Sequence, residues 1–331
     1  MVSDSTALSA GRLGGRASAA AGQRSGDVDL RRWFQLGLAA IWLLDAILQY
    51  QSFMFTRGFS QMLAGTAAGN PAFIAEPITW AARIIAQHPV PTNVGFATIQ
   101  LLIGFGIAWR PTLRAALAAS VVWSVAVWWF GEGLGGVLTG GASPVSGAPG
   151  AVILYALLAV LLWPVSEPAK SPAPFVAARP SGRLTASLLW LVLWGSLAYL
   201  AVTAANRTAQ GLHDMVAGMA DGEPSWLAAT DRGAAGLLAH QGLSASIVLA
   251  VVLALIAVGV FLPVPLHKAA IVLALVLSAA IWVVGQNLGG ILAGGATDVN
   301  SGLLLALIAL AYWPVAAVTR GTPDATEAPA S

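Results

Sequence analysis

Several stretches of this chain are long enough, apolar enough and free enough of charge to cross a bilayer as a helix. Charge-free apolar runs cover residues 92–109, 148–166, 184–206, 241–266 and 299–319. In hydrocarbon every backbone N–H and C=O must be satisfied within the protein, so a helix of about 20 residues is the form such a run can take. Two more runs lie close to this standard. Residues 33–56 are interrupted only by Asp45, and residues 115–131 are slightly short but lead into a glycine-rich block. Residues 269–297 exceed one span, and the surplus is a second glycine-rich block. The predicted fold is therefore all-α and polytopic, with eight transmembrane helices. Composition agrees, since 57% apolar and only 9% charged residues lie far outside the range of soluble domains.

The glycine blocks show that the chain is an internal duplication. Gly131-Glu132-Gly133-Leu134-Gly135-Gly136 returns as Gly285-Gln286-Asn287-Leu288-Gly289-Gly290, and Gly140-Gly141-Ala142 returns as Gly294-Gly295-Ala296. A second pair of segments, Met62 to Pro71 and Met215 to Pro224, repeats at nearly the same offset, so the whole unit was copied. Trp163-Pro164 and Trp313-Pro314 close the two units alike. The expected organisation is a cytoplasmic tail at 1–30, a four-helix membrane repeat at 31–165, a proline-rich cytoplasmic linker at 166–183, a second four-helix repeat at 184–316 and a tail at 317–331. With four helices per unit, both repeats share one orientation, as two tandem four-helix bundles.

Charge sets the expected direction of insertion. With the N-terminus inside, the outer segments carry only Arg57, Arg83, Arg207 and Arg232, and the other 12 of the 16 Lys and Arg lie inside. That asymmetry predicts a multi-pass plasma-membrane protein with cytoplasmic N- and C-termini. The basic skirt is of the kind that faces the inner leaflet and gives no reason to expect nucleic acid as a partner. Leu30-Arg31-Arg32-Trp33 precedes a long apolar run with no small-residue cleavage site, which fits a basic anchor before a first span rather than an export signal. The chain contains no cysteine, so it supplies no disulfide, thiolate ligand or thiol redox group.

Each unit places an outer loop of some 35 residues after its first helix, and loops of that length usually carry structure or function. The Met62 and Met215 segments predict a short amphipathic helix on the outer surface. Trp128, Trp129, Trp163, Trp282 and Trp313 fall near predicted helix ends, as interfacial anchors do. The expected partners are the bilayer and, through the outer loops, other membrane subunits.

Three sets of residues are candidates for chemistry. Gly135, Gly136, Gly140 and Gly141, with Gly289, Gly290, Gly294 and Gly295, suit either a re-entrant turn lining a cavity or close helix packing, the reading favoured here. No nucleotide loop is present, because no Lys-Ser/Thr follows and no strand precedes. Asp45, Gln49, Gln100 and Glu132 form a polar cluster in the first unit, with Asp45 and Gln100 at similar depth and able to hydrogen-bond. Such a cluster either ties a bundle together or lines a solute route. The second unit has apolar residues near Ala198 and Leu253 where Asp45 and Gln100 stand, so acid chemistry is expected in the first unit. His88 and His240, at matched outer ends, are weak candidates for metal or haem ligation; His213 is placed in a loop, and nothing shows His-x-x-x-His spacing. No catalytic residue stands out.

Arg32-x4-Gly37 opening the first helix, the long outer loop, Gln100-Leu101-Leu102-Ile103-Gly104 and then Arg110-Pro111-Thr112-Leu113-Arg114 resemble the DoxX-like four-helix membrane proteins. Small subunits of thiosulfate:quinone oxidoreductase belong to that family. The resemblance covers residues 31–165 and, more faintly, 184–316, and it implies a quinone-linked oxidoreductase subunit. Three functions follow from the sequence: a non-enzymatic scaffold or accessory subunit of an envelope or redox complex, a carrier for a small or lipophilic solute that uses the polar cluster, and the quinone-linked role. No cofactor is predicted for the first two, whereas the third needs a bound quinone or haem because the chain has no thiols.

Overall fold

The computed structural model describes residues 30–165 and 173–315, and within them the regular structure is all helical, with no strand. The expected tails and most of the expected linker, 166–172, lie outside the described residues. Twelve α-helices follow one another among the described residues: α1 (30–48), α2 (Arg57–Gly65), α3 (Ala72–Gln87), α4 (Pro89–Ala108), α5 (Leu113–Phe130), α6 (Ala151–Leu161), α7 (Arg183–Ala201), α8 (Gly211–Met219), α9 (Ser225–Leu238), α10 (Gly242–Gly259), α11 (Val264–Ala280) and α12 (Asn300–Ala311). The boundaries have local causes. Pro89 and Pro91 open α4, where a missing N–H costs nothing, and Pro111 separates α4 from α5. The Thr56 hydroxyl caps α2 by accepting from the Gly58 amide at 3.1 Å.

Five helices are long and apolar enough to cross a membrane: α4, the segment Arg110–Phe130 containing α5, α7, α10 and the segment Val264–Ala293 containing α11. This is a helical membrane protein. The predicted spans 148–166 and 299–319 are realised differently. Their helices α6 and α12 have only 11 and 12 residues, enough at about 1.5 Å per residue to cover little more than half of a hydrocarbon core. Both are enclosed by protein, with Leu154, Tyr155, Leu158 and Ala159 of α6 and Leu304, Leu305, Ile308 and Ala309 of α12 all buried. They pack against each other at the centre of the molecule. Short helices and irregular backbone are tolerated at membrane depth under that condition.

The two segments expected as outer loops hold more structure than expected. Each contains two helices, α2 and α3 in the first half and α8 and α9 in the second. Helix α3 buries Ile74, Ile78, Ala82 and Ile85 at helical spacing and seals the top of the first half. The segment 173–178 is no loose tether: Phe175 is buried against Tyr312 at 5.0 Å, edge-on to His267 at 5.8 Å. Several tryptophans are core residues and not interfacial anchors, with Trp42, Trp190 and Trp194 buried. Trp128 and Trp282 are pinned inward, donating their indole N–H to the carbonyls of Pro149 at 2.6 Å and Val299 at 2.8 Å.

The glycine blocks are short 3₁₀ segments broken by left-handed kinks, and not a helix-packing stripe. The backbone leaves α5 at Gly131 and runs through left-handed turns at Gly133, Leu134, Gly135, Gly136 and Gly140; Asn287, Leu288, Gly289, Gly290 and Gly294 do the same after α11. Gly141 and Gly295 lie outside that region of φ. The favoured reading of close helix packing is thus corrected to a folded turn. Its cause is clearest at Gly135 and Gly289, where a Cβ would meet the Pro149 carbonyl oxygen at 2.0 Å and the Val299 carbonyl oxygen at 2.7 Å. These carbonyls are the ones that the two indoles hold.

Each block rests on the other half of the molecule. The Ala296 carbonyl, in the second block, accepts from Gln51 just beyond α1 at 3.1 Å. The Ala142 carbonyl, in the first block, accepts from Thr203 and Asn206 just beyond α7, both at 3.2 Å. Ala142 and Ala296 are matched positions, so the segment just beyond the first helix of each half holds the glycine turn of its counterpart. This exchange brings second-half residues to the first-half polar cluster.

Candidate functional site

Asp45, Gln49, Gln100 and Glu132 all line one cavity of about 400 Å³ in the first half. Helix α1 carries Asp45, Gln49 follows one turn later just past its end, α4 contributes Gln100, and Glu132 stands just past α5 where the glycine turn begins. Phe59, Met62, Trp80, Ile84, Phe96, Trp123 and Phe130 form the apolar wall. Met62, Trp80, Ile84 and Phe130 are also exposed on the molecular surface, so the cavity has an apolar rim. Trp80 and Phe130 stand 6.5 Å apart there, between ring centroids.

The expected Asp45–Gln100 hydrogen bond is replaced by another. The Tyr155 hydroxyl, from α6, donates to Asp45 Oδ2 at 2.5 Å. Tyr155 is itself held by Trp42, whose ring lies 4.5 Å away and whose indole donates to Ser120 Oγ at 3.0 Å. Gln49 is positioned through its backbone, whose carbonyl accepts from the Asn93 side chain at 2.5 Å. Glu132 Oε1 accepts from the Val152 amide at 3.3 Å and so caps the start of α6. Gln286 repeats this in the second half, accepting from Gly302 at 2.9 Å and donating to Ser301 at 2.8 Å. Capping is thus common to both halves, and the ionisable group is particular to the first.

Five buried polar atoms of the cavity residues have no hydrogen-bond partner: Asp45 Oδ1, Gln49 Oε1, Gln100 Oε1, Glu132 Oε2 and Trp123 Nε1. Four are acceptors and one is a donor. Polar groups left unpaired away from water are costly, and such groups mark positions where a ligand or water completes the site. No Lys, Arg or His lines the cavity among the described residues, whereas three carboxylates do, because the second half sends in Asp298 with Thr297. Asp298 accepts from the Thr297 hydroxyl at 2.9 Å and from the Asn300 amide at 2.7 Å. Acid groups of the site therefore come from both halves, which corrects the expectation that they belong to the first alone.

The histidines stand apart from this site. His88 and His240 are exposed at helix junctions, with His240 facing Gln210 at 3.4 Å. His213 lies in α8, not in a loop, and pairs with Asp214 at 2.8 Å. Among the described residues no three His, Cys, Asp or Glu side chains gather as a metal site of that kind would need. Sequence reasoning missed Tyr155, Trp123 and Asp298. Tyr155 is the single aromatic in the apolar run of α6, and Asp298 is the single acid of the second glycine block, so each had a signal in isolation. What the sequence did not indicate was the exchange between halves that brings Asp298 to Asp45. No protein-family model, no curated protein and no solved structure matches this chain.

Proposed function

We propose that the protein is a plasma-membrane carrier for a small lipophilic solute, built as two tandem four-helix units in one orientation with both termini cytoplasmic. The observation that carries this reading is the cavity, in which an apolar aromatic wall ends in unpaired acceptors and uncompensated carboxylates. That arrangement suits an amphipathic molecule with an apolar body and a hydrogen-bond-donating or cationic head. Its exposed apolar rim favours entry from the lipid phase. The 12-to-4 distribution of Lys and Arg supports the orientation, and the reciprocal seating of the two glycine turns supports two like units. A scaffold role through the outer loops gives no account of the buried unpaired acceptors.

The quinone-linked role implied by the DoxX-like resemblance is the second reading. The aromatic wall suits a quinone ring, but quinone carbonyls need donors, and the unpaired atoms are acceptors apart from Trp123 Nε1. A quinol, which donates, matches the site better. Haem fits less well, since no histidine lines the cavity among the described residues.

The carrier reading is tested by extracting the detergent-purified protein with organic solvent and identifying co-purified lipophilic molecules by mass spectrometry. Ala126 lines the cavity, and Ala126→Trp fills it. A lipophile present with the wild type and depleted at least tenfold in this variant is expected. Identical extracts from both proteins would overturn the reading.

A further inference from the structure

A second polar site lies in the other half, and it is best seen through the duplication. In the first half Gly133 sits so close to its neighbours that a Cβ would meet the Thr66 carbonyl oxygen at 2.7 Å, Asn70 Nδ2 at 2.9 Å and Ile78 Cδ1 at 3.3 Å. The matched positions in the second half are Asn287, Met219, Glu223 and Asp231. A closed, uncharged contact, in which Asn70 donates to the Thr66 carbonyl at 2.9 Å, has thus become an amide facing a carbonyl and two carboxylates. Asn287 Nδ2 donates to the Met219 carbonyl and also faces the carboxylates of Glu223 and Asp231.

These groups are not satisfied by one another. Asp231 is fully buried on α9, and neither of its carboxylate oxygens has a partner in normal hydrogen-bond geometry, the Asn287 amide standing beyond it. Glu223 Oε2 and Asn287 Oδ1 are also buried and unpartnered, in a side chain only 2% exposed in the case of Asn287. Neither acid has an ion-pair partner among the described residues. Both Glu223 and Asn287 line a cavity of about 240 Å³, with Asp221 and Ser146 on its wall. The two neighbouring carboxylates repel each other, Arg232 offsets part of this at Asp231 without pairing with it, and burial penalises each charge.

We propose that Glu223, Asp231, Asn287 and the Met219 carbonyl form a binding site for a hard divalent cation of the calcium type. Oxygen is the only donor element present, the two carboxylates match a double positive charge, and ligands gathered irregularly from two helices, a loop and a turn suit Ca²⁺ better than Mg²⁺, which demands near-ideal octahedral coordination. The Asn287 amide nitrogen holds the point on which the three oxygen-bearing groups converge. A cation would take that point, and a turn of the amide about its terminal bond would present Oδ1 as a further ligand. With two acidic ligands and neutral oxygens, binding belongs to the weak class, with Kd about 10⁻⁴–10⁻³ M. This site is independent of the solute cavity.

The test uses the full chain in detergent, freed of divalent ions by chelator and dialysis, with thermal unfolding as the readout. Adding 10 mM CaCl₂ is expected to raise the midpoint by about 2 °C or more, relative to NaCl of equal ionic strength, with a smaller rise from MgCl₂. Asp231→Asn and Asn287→Gly, the latter restoring the first-half residue, are expected to abolish the shift. Terbium luminescence excited through tryptophan and reversed by CaCl₂ checks occupancy without unfolding. An absent Ca²⁺ shift in the wild type, or a full shift retained in both variants, would overturn the proposal. So would acid pH reproducing the whole stabilisation while Ca²⁺ has none, since the pair would then share a proton instead.

Discussion

Replacing Asp45 by Asn leaves a polar atom opposite the Tyr155 hydroxyl, so stability in detergent is expected to change little while a role that needs a charge is lost. Asp45→Leu instead strands that hydroxyl and is expected to cost about 1–3 kcal/mol. Adding Tyr155→Phe to Asp45→Leu removes both partners and should recover most of the loss. A double-mutant cycle by thermal unfolding measures this coupling, and strict additivity of the two changes would show that the contact carries no stability. Glu223 and Asp231 lie outside the spans, and their pH dependence has a definite sign. Burial holds both carboxyls above their usual range; the Asn287 amide opposes this, while Asp231 adds to the effect at Glu223 and Arg232 lessens it at Asp231. A carboxyl raised in the folded state binds more protons folded than unfolded, so stability is gained as pH falls through the raised folded value and is complete below the unfolded value of about 4. In metal-free buffer, Asp231→Asn should therefore exceed the wild type in thermal midpoint at pH 7, and that margin should shrink as the buffer is acidified. A margin that grows in acid would contradict the assigned direction.

At the scale of elements, the glycine turns and the short helices behind them form one device. The turn brings the chain back inward, α6 or α12 then runs buried through the centre, and an indole on the preceding helix fixes the junction. Adding a side chain at Gly135 combines left-handed backbone, worth roughly 1–2 kcal/mol against an L-residue, with a collision at the Pro149 carbonyl. Gly135→Ala is expected to lower stability by more than about 2 kcal/mol, or to prevent folding. Gly295→Ala meets open space and should be near neutral. Comparable thermal midpoints for the two variants would disprove that the turn is needed. Much of this level was legible beforehand: the apolar runs place α4, α5, α7, α10 and α11 closely, because hydrocarbon solubility is a property of composition. Helices α3 and α9 were hidden inside expected loops, although Ile74, Ile78, Ala82 and Ile85 already show helical spacing. The left-handed turns could not be read, since glycine permits many conformations and its neighbours in space select one. The polar cluster was legible as a set, whereas its partners Tyr155 and Asp298 depend on contacts far apart in sequence.

Across the whole molecule, the reciprocal hold of each glycine turn by the opposite half is the property that a single four-helix unit lacks. Gln51 reaches Ala296, and Thr203 with Asn206 reaches Ala142, so each half adds a hold on its counterpart's turn to the bonds that turn makes within its own half. That exchange places Asp298 in the first-half cavity and Ser146 at the wall of the second. In the proposed scheme of duplication with one orientation, the two copies diverge: one carries acids at the proposed solute cavity, the other at Glu223 and Asp231. The proposed orientation puts α2, α3, α8 and α9 on the outer face and the segment before α7 on the inner one. Single cysteines can be placed at Ala68 and Asp221, exposed on the outer loops, and at Ser181, exposed just before α7; the chain's lack of native cysteine makes each label unambiguous. In intact cells a membrane-impermeant maleimide is expected to modify the Ala68→Cys and Asp221→Cys proteins and to spare Ser181→Cys until the membrane is permeabilised. Because both halves share one orientation in this scheme, Ala68→Cys and Asp221→Cys must respond alike. Labelling of only one of them would require the halves to be inverted, and labelling of Ser181→Cys alone would reverse the whole protein in the membrane.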